Sequence, residues 1–292
     1  MTVPEINPPA SAPDLATVHA KLARSNEHTA RFKAVSTEFF GDPYKYALGL
    51  RFDHDAHEIH VTGSYEEAPP IAYLGAVFGD ALNCLRSALD HIVWALSIRH
   101  QTAPPPPFPI PWSSPWKKVG FPIVHNVDNW NGAITSRLAL VNPSLYPNFR
   151  NLQPFVVNQS TPEETWLQML DDLWNIDKHR VVHVGLLTVA LEMLTPTDKR
   201  SGRLIPCTFE SYGPQGIDVA SLEAEADLGK FTGTDFANWP ATADEVQMER
   251  GVRVNLFLDP SEPGMGKNMQ TALSYMHNSV VLAAHVFEPE FT

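Results

Sequence analysis

The chain has 292 residues, 43% hydrophobic and 18% charged, with 26 prolines, 16 glycines and 2 cysteines. That length buries a sizeable core without staples, and Cys84 and Cys207 cannot build a disulfide framework or a cysteine-rich zinc site. With 21 basic against 33 acidic residues the net charge is -12, which excludes a uniformly basic nucleic-acid surface and makes nucleic acid an unexpected partner.

Residues 1–14 carry Pro4, Pro8, Pro9 and Pro13 and lack the basic and apolar regions of a signal peptide, so they read as a flexible extended arm. No stretch approaches the roughly 18 uninterrupted apolar residues of a membrane helix. A soluble, cytosolic protein without membrane contact is therefore expected. Asp14 suits the N-cap of an amphipathic helix running to about Phe39. Leu48, Leu50 and Phe52 alternate with polar or small residues, as do Ile59 and Val61, and Asp53–Ala56 suits a turn between them. This predicts a β-hairpin over Tyr46–Tyr65. Pro69 and Pro70 then open a long helix, Ile71–Arg99.

Ala103–Pro122, with its run Pro104–Pro107, cannot be helix or central strand and reads as a PPII-like surface connection. Helices are expected near Asn129–Leu140 and Pro162–Lys178. Val181–Met193 is apolar and β-branched, and its periodicity leaves helix and buried strand both open. Leu204–Ser211 and Val252–Leu258 are the better strand candidates, and a last helix covers about Lys267–Val286. The expected fold class is α+β: a helical core, an N-terminal β-hairpin and a loop- and strand-rich C-terminal part over 196–265. Residues 15–292 are expected to form a single domain, with 102–128 as its proline-rich connection.

Two helices carry the candidate chemistry. On Ile71–Leu96, Leu74, Phe78, Leu82, Leu85, Leu89, Ile92 and Leu96 form one apolar stripe, and Asn83, Arg86 and Asp90 lie within roughly 60° of each other beside it. Arginine offers a planar five-donor fork suited to geometry-dependent pairing. On the second helix Trp166, Leu170, Leu173 and Trp174 form an apolar face, and Asp177 falls in its middle, where a carboxylate needs a partner. The expectation is that the two helices pack lengthwise and that Arg86 pairs with Asp177, with Asn83 or Asp90 taking its remaining donors. Asn175, His179 and Arg180 join this polar set. Arg86, His91, Asp177 and His179 are the candidate catalytic residues, and Asn83, Asp90, Asn175 and Arg180 the candidate ligand-binding ones. The pocket so formed, roofed by the Pro/Trp segment, would take a small polar or anionic ligand with Arg86 and His179 as donors. The competing reading makes the same cluster an ion-pair lock in a non-catalytic interaction protein. Ligand identity, cofactor and oligomeric state do not follow from the chain.

Asn83–His91 and Asn175–Arg180, together with Phe121–Ile123 and Gln153-Pro154-Phe155, resemble a family of uncharacterised bacterial proteins with NLRSALDH-type and NIDKHR-type helices. The resemblance spans about residues 75–183 and implies that these residues form one site, without implying an activity. Arg86 and His91 are also similar to the R-x4-6-H motif of HEPN-type ribonucleases, which implies metal-independent RNA cleavage as an alternative; Ser87 departs from the Asn, Asp or His that family prefers after its arginine.

A metal site gains little from the residues. His179 and His183 share the i, i+4 spacing, but the sequence between them lacks HExxH, and Asp177 points roughly 160° away from His179. His54, His57 and His60 fall on the hairpin, where alternation separates the rings. Gly264–Lys267 lacks the first glycine and the Ser/Thr of a phosphate loop. Trp112 and Trp116 are candidates to line a cleft.

Overall fold

A computed structural model describes residues 14–42, 45–179, 187–191, 196–211, 226–235, 239–248, 252–256, 258 and 267–292. The elements in chain order are α1 (Ala16–Phe40), β1 (Tyr46–Asp53), β2 (Glu58–Tyr65), α2 (Ile71–His100), α3 (Trp130–Arg137), α4 (Tyr146–Asn151), α5 (Pro154–Val157), α6 (Trp166–His179), β3 (Leu187–Leu191), β4 (Pro196–Asp198), β5 (Cys207–Ser211), β6 (Ala226–Gly233), β7 (Val246–Met248), β8 (Val252–Leu256) and α7 (Met269–Phe287). The fold is α+β with a helical core, as the patterning predicts. No described helix is long and apolar enough to cross a membrane.

Local chemistry accounts for the boundaries. The Asp14 carboxylate accepts the Ala16 amide at 3.0 Å, so it caps the first turn of α1. In the hairpin Phe52 pairs with Ile59 and Leu50 with Val61. Its turn closes with His57 at φ 54°, in the left-handed region, while Asp53 Oδ1 accepts the Ala56 amide at 2.9 Å. The Leu74 amide bonds to the Pro70 carbonyl at 2.9 Å, so the second proline sits where its missing N–H costs nothing.

The chain divides into two compact units. One comprises the residues up to Glu27, Asp80–Asn175 and Ser274–Thr292. Its core holds Leu82, Leu85, Leu89, Ile92 and Leu96 of α2 together with Phe121, Phe149, Leu170, Met276 and Phe287, all at most 2% exposed. Phe149 joins Phe121 at 5.5 Å and Phe287 at 4.4 Å between ring centres. The other unit, His28–Gly79 and Ile176–Leu273, holds an antiparallel sheet in the order β1-β2-β6-β5 and two two-stranded ribbons, β3-β8 and β4-β7. Ile59, Val61 and Phe231 fill the buried face of that sheet, and Phe32 meets Phe78 at 6.0 Å.

The segment left open between helix and strand resolves at Leu187–Leu191, a strand whose partner is Val252–Leu256; residues 181–186 and 192–193 lie outside the described set. Between 204 and 211 the strand starts only at Cys207, because Pro206 has no amide to give a ladder. The short helices α4 and α5 are absent from the sequence reading. Both carry proline in the first turn, Pro147 second in α4 and Pro154 first in α5. There its missing N–H breaks no intrahelical bond, although in a pattern proline marks a loop.

A buried arginine clasp and its cleft

Arg86 is 3% exposed, on the flank of the α2 stripe. Its guanidinium makes three directed bonds: Nη1 to Asp90 Oδ1 at 2.6 Å, Nε to Asp171 Oδ1 at 3.0 Å and Nη2 to the Phe121 carbonyl at 3.1 Å. The Trp174 ring lies 5.3 Å from the guanidinium carbon, within cation–π range. Asp90 is one turn on along α2, so helix geometry alone delivers it. Its Oδ1 also accepts the Phe121 amide at 2.8 Å. The ion pair thereby holds both backbone groups of a residue that belongs to no helix or strand.

Gln153, fully buried, completes this clasp. Its Nε2 donates to the carbonyls of Pro122 at 3.0 Å and Phe149 at 2.9 Å, and its Oε1 accepts the Val124 amide at 2.9 Å. An extended segment buried without a partner strand needs its polar groups satisfied somehow. Here three side chains do it, and proline at 122 removes one amide that would otherwise need an acceptor.

The α2–α6 pairing expected from the stripes is present. Trp174 Nε1 donates to Asn83 Oδ1 at 3.3 Å, and Arg86 meets Asp171, so the helices run antiparallel. The predicted Arg86–Asp177 bridge is corrected by this register: the carboxylate opposite Arg86 is Asp171. Asp177 instead lies over Gly79, where a Cβ would stand 2.4 Å from Asp177 Oδ1. The missing side chain at 79 makes room for the carboxylate. Seven residues, two turns, separate Gly79 from Arg86, about 10 Å along the axis.

The other candidates divide. Asn83 is exposed and Asn175 Nδ2 reaches Asp171 Oδ2 at 3.3 Å, so both border the clasp. His91 does not. Five residues past Arg86 it is turned about 140° around the helix, where burial, reinforced by the charge of Lys21, holds its pKa below the ordinary value. His91 is not among the residues that line the cleft beside Arg86. The side chain of His179, and Arg180 and His183 altogether, lie outside the described residues. Among the described residues no group of three His, Cys, Asp or Glu side chains is placed to hold a metal.

Beside the clasp lies a cleft of about 100 Å³ between Arg86, Asp171 and residues 121–124 on one side and Ser136 and Arg137 of α3 on the other. The expected roof is corrected in part. Residues 121–124 do wall the cleft, but Trp112 is 84% exposed and Trp116 packs edge-on against Trp94 at 5.0 Å. A Cβ at Gly120 would stand 3.0 Å from Asp90 Oδ1 and 3.2 Å from Arg137 Nη1. The Arg137 side chain is exposed and makes no hydrogen bond or ion pair among the described residues. Arg86 uses three of its five N–H groups, leaving one on each terminal nitrogen. Next to the cleft wall, burial raises the pKa of Asp172, opposed by a hydrogen bond from Gln168 at 2.8 Å.

Asp171, Gln153 as a clasp, Ser136 and Arg137 escape the sequence reading. For Asp171 a signal exists, since it lies one turn before Asn175 on the same face. Arg137 lies on a short helix with no pattern of its own. Comparison with family models, with curated proteins and with solved structures finds no match.

Proposed function

We propose that the cleft binds a small anion, and that the protein acts through this binding. The observation that carries the reading is Arg137: its side chain lines the same cleft as the buried Arg86 and has no partner among the described residues. Two guanidinium side chains lining one cleft suit a carboxylate or a phosphate-type oxyanion. Ser136 donates its hydroxyl to the Gly132 carbonyl at 2.7 Å, so its oxygen is an acceptor for a protonated ligand group. Asp171 tempers the positive charge and favours a monoanion over a dianion. Calorimetric titration with phosphate, sulfate and acetate tests the reading. Arg137→Ala is expected to weaken the bound anion by about tenfold, 1.4 kcal/mol, at unchanged Tm. Titrations without heat, or an affinity indifferent to Arg137→Ala, overturn it.

A second reading has its own observation. Arg86 holds both backbone groups of Phe121 through itself and Asp90, which is what a structural lock requires. On this reading the cluster shapes the chain and activity lies on the surface. Both readings fit a reducing cytosol, with Cys84 and Cys207 as free thiols.

A further inference from the structure

We infer that residues 104–108 form a display edge for a partner protein that reads polyproline II with an aromatic-lined groove. Ala103, Pro104, Pro105 and Pro106 each precede a proline, which removes the α region for them, and each proline fixes its own φ. Residues 104–107 belong to no helix or strand. The segment is therefore held extended, near polyproline II, before any partner arrives, and binding would cost it little order.

The burial pattern gives this edge a direction. Polyproline II repeats every three residues, which puts Pro104 and Pro107 on one edge. Those two are exposed, whereas Pro105 and Pro106 between them are half-buried. A proline–x–x–proline face thus points to solvent. Phe108 follows it at 91% exposure and Trp112 stands at 84%. The feet of the loop are fixed: Gln101 Nε2 donates to the Leu140 carbonyl at 3.0 Å, and Trp116 packs on Trp94. Residues 101–118 hold no acidic side chain and two lysines, Lys117 and Lys118, in a chain of net charge -12. Lys117 also sits 4.6 Å over the Trp112 ring. The partner's groove should accordingly carry an acidic rim. A membrane is the less fitting occupant, because an extended proline run has no internal hydrogen bonds and its carbonyls would enter hydrocarbon unsatisfied.

The test is calorimetric titration of the full chain with a panel of purified polyproline-reading modules, an SH3, a WW and an EVH1 domain. At least one is expected to bind saturably, more weakly as salt rises. Pro104→Ala with Pro107→Ala should weaken it by about tenfold, and Phe108→Ser likewise, whereas Pro105→Ala with Pro106→Ala should change it by less than about threefold. Pro104, Pro107 and Phe108 are exposed, and an unchanged Tm certifies each variant, the half-buried Pro105/Pro106 pair included, as folded. The inference is overturned if no module binds, or if the two proline pairs lose affinity equally. It is also overturned if the tryptophan emission shifts on adding phosphatidylserine vesicles and that shift disappears in Trp112→Phe.

Discussion

Replacing Arg86 by methionine removes a fork whose side chain is 4% exposed and leaves three groups behind. Asp171, 22% exposed, and Asp90, 36% exposed, lose their cation, and the Phe121 carbonyl loses its donor. Breaking a fully buried ion pair costs roughly 3–5 kcal/mol. Water reaching both carboxylates discounts that figure, while the orphaned carbonyl adds to it, so a loss of about 3 kcal/mol is expected. For a chain this size that lowers Tm by about 6 °C. Urea unfolding monitored by circular dichroism reads it as a fall in midpoint at constant slope. A double-mutant cycle then assigns the partner. Arg86→Met with Asp171→Leu should show a coupling of about 1–2 kcal/mol. Arg86→Met with Asp177→Leu should be additive to within about 0.5 kcal/mol, because about 10 Å of helix separates the sites. A loss below about 1 kcal/mol for Arg86→Met, or a strong coupling to Asp177, would refute the clasp.

Gln153→Leu leaves the Pro122 and Phe149 carbonyls and the Val124 amide without their partners; a loss of about 3 kcal/mol in urea unfolding is expected. Gly79→Ala should destabilise by about 1–2 kcal/mol although alanine favours helices, because its Cβ meets the Asp177 carboxylate. In an Asp177→Ala background the same change should instead stabilise by up to about 1 kcal/mol, in the same assay. Burial lowers the pKa of His91 and of His277, so the unfolded state binds protons first as pH falls. Stability should therefore drop on acidification below about 6.5, and His91→Gln should flatten that slope in a pH series of Tm values. Asp172 has the opposite sign among the acids. Burial raises its pKa, so it costs stability once pH exceeds its unfolded value near 4. Asp172→Asn, which keeps the oxygen that Gln168 bonds, should stabilise at pH 7 and lose that gain in acid.

The α2 stripe was legible because a helix buries whatever recurs at its own period: all seven predicted residues, from Leu74 to Leu96, are at most 2% exposed. The hairpin was legible because alternation and an Asp-rich turn specify it locally. Arg86 also stood out, since an arginine bordering a buried stripe needs partners, and one of those, Asp90, lay within its own helix. Its partner on α6 was not legible. Asp171 and Asp177 sit on one helix six residues apart, and only the register of two antiparallel helices decides which of them faces Arg86. No local preference encodes that register. It depends on how Trp174 seats against Asn83 and on the space that Gly79 leaves for Asp177. The same holds for Phe121–Val124, whose backbone is satisfied by side chains 29 to 35 residues away rather than by any neighbour. Periodicity and turn chemistry act over a few residues, so the sequence by itself determined the long helices and the hairpin and the buried face of α2. Pairing between distant carboxylates, carbonyls and a guanidinium is a matter of ångströms, and only the tertiary structure decided it.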